Sequence, residues 1–451
     1  MNFLFRSRWG EGLSLARRVM EEGHSARMAI CDRAAARVGD RLVDKCHYDD
    51  AARSWAHCVV FDCNDKQLPE EADELMAAGT PCLGSSTFAH RLEKNRAFGT
   101  TIAKAAGLHI PKWESFSGPR AFEEASKWLG GQTFRHGAVF KANRAGVGTQ
   151  VADSSEQMER LFRYFAPRFE KLHEPPDFIL QEVIKGLEVS TEAWFDGENF
   201  SLPNGTLERN KLMPGDIGEK IGSSGEAVWI YPELEAPLVA ELVLPLADYL
   251  RGRYRGPIDV NAIVDDMGVP WWLEFTPRFG YGAIQALMPL VDDFAGVLWE
   301  IANGSPARAS SDKFAVGVRI HVPPFPIPPE DVDLAEDLPI SGYDPEESLD
   351  ESGVYPMELA LDEHGEPITS GPHGWVAQVV GVGATIEKAA RQAYGNIDVL
   401  HIPKMRYRND LGPQMAADYE ALEEHKLLRA GGRRRELRPT ASVRQLLAAR
   451  R

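Results

Sequence analysis

The sequence predicts a multidomain chain of α/β and α+β type, opening with a parallel α/β domain and closing with a small α+β domain, and three observations lead there. At 451 residues the chain is longer than one ordinary domain. Through the first 115 residues, short apolar runs alternate with helical periodicity, the pattern of a parallel sheet covered by helices. Farther on, apolar runs joined by tight turn signals replace that alternation and mark antiparallel pairs. The changes of pattern divide the chain at 1–115, 116–195, 196–315, 316–428 and 429–451.

Element by element, Phe3–Phe5 reads as a strand, Leu13–Glu22 as a helix, and Arg27–Cys31 and Cys58–Phe61 as strands. Glu70–Ala78 is helical, Pro81–Leu83 extended, and Thr87–Ala106 one long helix ended by Gly107 and Pro111. From Phe116 the pattern is a helix, a strand in "GAVFKA", a glycine-bearing loop "NRAGVGTQ", a helix, and strands in "FILQEV" and "EVSTEAWFDGE". In "GPIDVNAIVDDMGVPWWLEFTPRFG" two β-rich runs flank an Asp-Asp-Met-Gly turn and read as an antiparallel pair. The proline- and acid-rich stretch "FPIPPEDVDLAEDLPISGYDPEES" reads as loop. Strands near Val354–Leu361 and Trp375–Val380 and a helix near Ile386–Leu400 complete the last piece.

Composition excludes several classes. A hydrophobic fraction of 43% with 26% charged residues is that of a globular protein, and no apolar run reaches bilayer length. The net charge of −17 argues against a nucleic-acid groove over the body of the protein, leaving only the basic tail from Arg429 as a polyanion binder. Five cysteines without a Cys-x-x-Cys pair read as reduced thiols of a cytoplasmic protein. In "HCVVFDC" the thiols flank a buried-strand pattern and read as small apolar residues rather than metal ligands.

Three places could carry chemistry. Lys141 ends an apolar strand just before Gly146 and Gly148, and an ammonium beside free backbone N–H groups suits nucleotide phosphates. In "ILQEVIKGLEVS" a strand breaks at Lys185-Gly186, leaving backbone around Glu182–Ile184 for an adenine edge and Glu188 for ribose hydroxyls. Strand alternation puts Glu274, Thr276 and Arg278 on one face; Asp259 and Glu274 could hold Mg²⁺ while Arg278 offsets charge on a transferring phosphoryl group. A surface salt bridge between Glu274 and Arg278 is the plainer alternative.

The order of lysine loop, adenine hinge and metal strand resembles the ATP-grasp superfamily, and within it the glycinamide ribonucleotide synthetases, from about Pro81 to Gly412. "CLGSSTFAHRLEKNRAF", "FKANRAGVGTQV", "ILQEVIKGLEVSTEAWFDGE", "YRGPIDVNAIV", "WWLEFTPRFGYGAIQ", "HGWVAQVVGVGATIEKAARQAYGNIDVL" and "MRYRNDLG" carry the likeness. It implies a pre-ATP-grasp domain at 1–115, a small lid at 116–195, a large domain at 196–315 and the family's C-terminal domain at 316–428. It implies ATP held by Arg96, Lys141, Gln181, Glu182, Ile184, Glu188 and Lys211, with Mg²⁺ (or Mn²⁺) on Asp259, Glu274 and Thr276. Thr276 replaces the family's metal-binding Asn. Arg278 is the implied catalytic residue, and the implied chemistry is an ADP-forming ligation of a glycine-like amino acid to an amine, in purine biosynthesis. Departures gather on the acceptor side, where the candidates are Arg6, Arg8, Trp9, Gly222, Ser223 and Ser224. They point to a different amine, such as a modified nucleotide or base, and a nucleotide-binding protein without turnover is the rival from another class.

Overall fold

The computed structural model describes all residues except 144–147, 172, 174, 327–334 and 431–451. The described residues gather in two compact units: one holds Met1–His90, Val189–Asp259 and the chain from Thr276 onward, the other Arg91–Glu188 with Val260–Phe275.

The first unit opens with β1 (Asn2–Ser7), α1 (Leu13–Glu21), β2 (Ser25–Ile30), β3 (Asp44–Lys45), α2 (Asp50–Trp55), β4 (Cys58–Phe61), α3 (Leu68–Ala77) and β5 (Cys82–Leu83). These form a sheet of order β3-β2-β1-β4-β5, parallel throughout. The central strands are apolar on both faces because helices cover both; Phe3, Leu4, Phe5, Val59, Val60 and Phe61 are fully buried. Strand order reverses between β1 and β4, so the loops after these two strands open a crevice at the carboxyl ends.

The expected single helix over Thr87–Ala106 is two, α4 (Thr87–Lys94) and α5 (Arg96–Ala105). Asn95 is extended (φ −96°, ψ 96°) and its side chain accepts from the Phe98 N–H, so it caps α5 instead of continuing α4. In the second unit follow β6 (Trp113–Ser117), α6 (Ala121–Gly130), β7 (Ala138–Ala142), β8 (Thr149–Ala152), α7 (Ser155–Lys171) and β9 (Asp177–Glu182), with sheet order β6-β9-β7-β8. Its core is aromatic: Phe116, Phe140, Phe162, Phe165, Phe169 and Phe178 are buried together between sheet and helices. The sequence reading passes over β6 and β8, whose residues are mostly exposed or half-exposed and lack an apolar run.

Strands β10 (Leu187–Phe195), β11 (Phe200–Glu208), β12 (Lys211–Met213), β13 (Ile217–Lys220) and β14 (Gly225–Ile230) come next, then α8 (Pro237–Leu242) and α9 (Ala247–Leu250). The hairpin of β15 (Gly256–Val264) and β16 (Pro270–Thr276) turns through Asp265–Gly268 as expected: the Gly268 N–H donates to the Asp265 carbonyl, and Gly268 has φ +75°. After α10 (Ala283–Leu287) and α11 (Phe294–Ala302) come β17 (Phe314–His321), α12 (Leu349–Ser352), β18 (Val354–Pro356), β19 (Leu359–Leu361), β20 (Pro367–Thr369), β21 (Trp375–Gly383), α13 (Ile386–Ile397) and α14 (Pro413–Glu424). In the first unit, β10-β11-β14-β17-β21-β18 run side by side, and β12 pairs with β13 in a separate ribbon. The segment expected as loop holds no helix or strand in its described part, residues 325–326 and 335–348.

Candidate functional site

In the second unit, three predicted residues meet. Lys141 comes from β7, Arg96 from the first turn of α5 and Glu274 from β16, and together with Leu92, Ile179 and Phe275 they line one narrow cleft. Lys141 is only 6% exposed, because its strand is buried along its whole length, and its ammonium donates to the Leu273 carbonyl at 3.1 Å. Arg96 is fixed twice. Its backbone N–H donates to Asn143 Oδ1 at 2.8 Å, and its guanidinium pairs with Glu274 Oε2 at 2.5 Å. Cation, buried ammonium and carboxylate thus face one space, which is what binding a polyphosphate together with a divalent cation requires.

Gln181 and Glu182 end β9, where the Glu182 N–H donates to the Lys112 carbonyl at 2.8 Å, and Ile184 lies in the break between β9 and β10. Glu188 stands on β10, half-buried. The break depends on Gly186, where a Cβ would lie 2.0 Å from the Val264 carbonyl oxygen. The glycine loop after Lys141 falls largely outside the described residues, Gly146 included; Gly148 is described and has φ +66°.

In the first unit, Asp259 lies on β15 and Thr276 at the end of β16. Beside Asp259 is a carboxylate that the sequence reading misses, Glu192 on β10, buried and accepting from Trp194 Nε1 (3.0 Å) and Asn204 Nδ2 (2.9 Å). Burial, then the nearby Asp259 charge, pushes Glu192 up to about 8. The signal was the alternation in "EVSTEAW", which puts Glu188, Ser190 and Glu192 on one strand face. Arg278 donates to the Phe279 carbonyl at 3.1 Å and its guanidinium lies 4.9 Å from the centre of the Tyr281 ring. Lys211, on the β12–β13 ribbon, donates to the Gly218 carbonyl at 2.8 Å.

Gly222, at φ +87°, opens the turn into β14. Ser223 donates to Glu226 Oε2 at 2.7 Å, and Ser224 to the carbonyls of Arg209 and Lys211, both at 2.7 Å. Behind them is a second missed group. Glu226 is buried, with Gln378 also donating to it; Arg319, whose guanidinium lies 3.6 Å from the centre of the Trp375 ring, is buried nearby. Burial pushes Glu226 up to about 7 and holds Arg319 down to about 10.

At the carboxyl end of β1, Arg6 is held by Glu71 at 2.7 and 2.9 Å, and Arg8 by Asp65. The Arg8 guanidinium lies over the Trp9 ring, 3.8 Å from its centre, and the His373 ring meets Trp9 at 4.3 Å. The flat face that the sequence offers at Trp9 is thus occupied on one side by Arg8.

No protein-family model matches the chain. The fold is shared with a solved phosphoribosylamine–glycine ligase from Thermotoga maritima, which matches with a TM-score of 0.69 at 22% identity, covering 91% of this chain and 100% of that one. The biotin carboxylase domain of Hydrogenobacter thermophilus 2-oxoglutarate carboxylase matches at 0.61 and 14%, over 90% and 91% of the two chains. In sequence the chain is similar to phosphoribosylamine–glycine ligases. It is 25% identical to that of Neisseria meningitidis serogroup B over 369 residues, 78% of this chain and 84% of the relative. To that of Streptomyces coelicolor it is 26% identical over 379 residues, 81% and 86%. The resemblance read from the motifs is borne out.

Proposed function

We propose that the chain is an ATP-dependent, ADP-forming carboxylate–amine ligase of the cytoplasm. The observation that carries this reading is the convergence of Lys141, Arg96 and Glu274 on one cleft. A carboxylate oxygen of a small, glycine-like amino acid attacks the γ-phosphorus of ATP; the bond from that phosphorus to the β,γ-bridging oxygen breaks and ADP leaves. The acceptor amine then attacks the acyl carbon, phosphate departs and the nitrogen gives up a proton. Lys141 and Arg96 hold phosphate oxygens, with Gln181, Glu182 and Ile184 presenting backbone to the base and Glu188 taking ribose hydroxyls. The residues fit Mg²⁺ (or Mn²⁺), since Glu274 offers an anionic, partly exposed oxygen ligand; the ion supplies charge neutralisation on the phosphates. The roles of Arg278, toward the transferring phosphoryl group, and of Asp259, Thr276 and Lys211 rest on the resemblance alone.

With phosphoribosylamine as acceptor, the amine named by the relatives, the product belongs to purine biosynthesis. A different amine is the second reading, favoured by the engagement of both Arg6 and Arg8 with carboxylates. The test that does not depend on the acceptor is to incubate the protein with ATP, Mg²⁺, glycine and hydroxylamine, a general trap for acyl phosphates. ADP and glycine hydroxamate in equal amounts are expected. Bound ATP with no ADP from glycine and any amine would overturn the ligase and leave a nucleotide-binding protein.

A further inference from the structure

The two cations of the cleft come from separate elements, Lys141 from β7 and Arg96 from the start of α5, so their spacing depends on what ties strand to helix. Asn143 makes that tie. In the pairing of β7 with β9, Lys141 lies opposite Ile179 and Ala142 opposite Phe178, and the Asn143 N–H prolongs it by donating to the Asp177 carbonyl at 3.0 Å. The Asn143 side chain is then used at both ends. Its Oδ1 accepts from the Arg96 backbone N–H at 2.8 Å, and its Nδ2 donates to Asp177 Oδ2 at 2.6 Å.

These partners specify an amide. The position asks for an acceptor toward an N–H and a donor toward a carboxylate, and a short amide supplies both, whereas an ionised Asp has no donor. Asp177 also keeps the amide from turning over, since the reverse orientation would set oxygen against carboxylate and NH₂ against N–H. At the helix, Arg96 is the first residue of α5, and its N–H is among the donors that a helix start leaves open. Asn95 serves a different one, accepting from the Phe98 N–H at 2.9 Å. The ion pair of Arg96 with Glu274 cannot replace the tie, because it is partly exposed and is made through a long, rotatable side chain. The backbone of Arg96 is held by Asn143.

We propose that Asn143 is a positioning residue for nucleotide binding: anchored by Asp177, it holds the start of α5 so that Arg96 and Lys141 meet one phosphate chain together. The inference rests on the phosphate contacts proposed above for these two cations and not on the ligation.

The test is calorimetric titration of the whole protein with ATP and with adenosine, the probe without phosphates, with no amino acid or amine present. Asn143→Ala is expected to weaken ATP about three- to tenfold, as for loss of one hydrogen bond, and to leave adenosine as in the parent. In an Arg96→Met background the same substitution should cost ATP little further, because the guanidinium it positions is gone. Asp177→Ala and Asp177→Asn remove the same charge, but only the second keeps an oxygen for the Asn143 amide, so ATP should bind Asp177→Ala the more weakly. Should Asn143→Ala fail to fold, this comparison at an exposed residue carries the proposal. Parent-like ATP affinity in Asn143→Ala, an equal loss for adenosine, or an undiminished loss in the Arg96→Met background would each overturn it; the equal loss would make Asn143 a cap that only stabilises the fold. ATP that binds the parent without yielding hydroxamate sinks the ligase and leaves this proposal standing, whereas ATP that fails to bind the parent overturns both.

Discussion

Replacing Glu226 by Gln should flatten the protein's stability between about pH 5 and pH 8. In the folded chain this carboxyl is buried, receives Ser223 Oγ at 2.7 Å and the Gln378 amide, and is pushed from 4.5 to about 7, burial being the first cause. A carboxyl whose folded pKa is raised keeps its proton in the native state after the unfolded chain has lost it. Its contribution is therefore full below 4.5 and is lost as pH rises to about 7. The displacement corresponds to about 3 kcal/mol in all, of which about 2–3 kcal/mol falls between pH 5 and pH 8. The neighbouring Arg319 complicates the absolute stability, because a neutral Gln removes the charge that helps keep it protonated. That charge exists only where Glu226 is ionised, toward pH 8, and the folded value of about 7 already contains the attraction of Arg319, so the pH difference stands as given. The Ser223 hydroxyl can rotate to accept from the new amide, which keeps the local hydrogen bonds. Urea unfolding of parent and variant at both pH values gives the double difference. Equal pH dependence in the two proteins would refute the reasoning.

Lys141→Met should weaken ATP binding by about 1.5–3 kcal/mol, the worth of a charge-assisted hydrogen bond, read by calorimetry; an unchanged affinity would remove the lysine from the site. Glu274→Gln should abolish Mg²⁺-dependent ADP release and leave the melting temperature nearly unchanged, because its ion pair with Arg96 is partly exposed and such pairs contribute little. ADP release at the parent's rate would show that Glu274 is not the metal ligand. Gly186→Ala forces a Cβ against the Val264 carbonyl oxygen at 2.0 Å and should destabilise the β9–β10 break by about 1–3 kcal/mol, visible as a lower melting temperature; no change would mean that the break relaxes freely.

What could be read from the sequence follows from where each signal is stored. The parallel domain was legible because Phe3–Phe5 and Cys58–Phe61 are continuous apolar runs, and only strands covered on both faces carry them. The candidate cleft was legible in part because Lys141, Arg96 and Glu274 each stand near the end of a recognisable element, so their neighbours in sequence announce them. Asn95 was overlooked although it is a good helix cap. Helical periodicity runs through it, and one side-chain hydrogen bond decides against continuity. Glu192 and Glu226 were missed for a related reason: a carboxylate inside a strand reads as an outward-facing polar residue until the burial of both faces is known.

The end of β1 shows the limit most clearly. Arg6, Arg8 and Trp9 read as cationic and flat contacts for a ligand, since sequence displays the charge of a side chain and hides its partner. Glu71 and Asp65 reach these arginines from the segment after β4 across more than fifty residues, brought there by the parallel pairing of β1 with β4. The same pairing carries Asp62 beneath the turn at Gly12. With the arginines paired, the cationic contacts that the sequence suggests are already engaged, and burial, then the Glu11 charge, holds the Asp62 carboxyl well above the ordinary carboxylate range. A site whose charge is decided by long-range pairing is legible only from the fold. The cleft lined by Lys141, Arg96 and Glu274 brings together the charges its sequence displays, whereas Arg6 and Arg8 at the end of β1 are each matched by a carboxylate from the segment after β4.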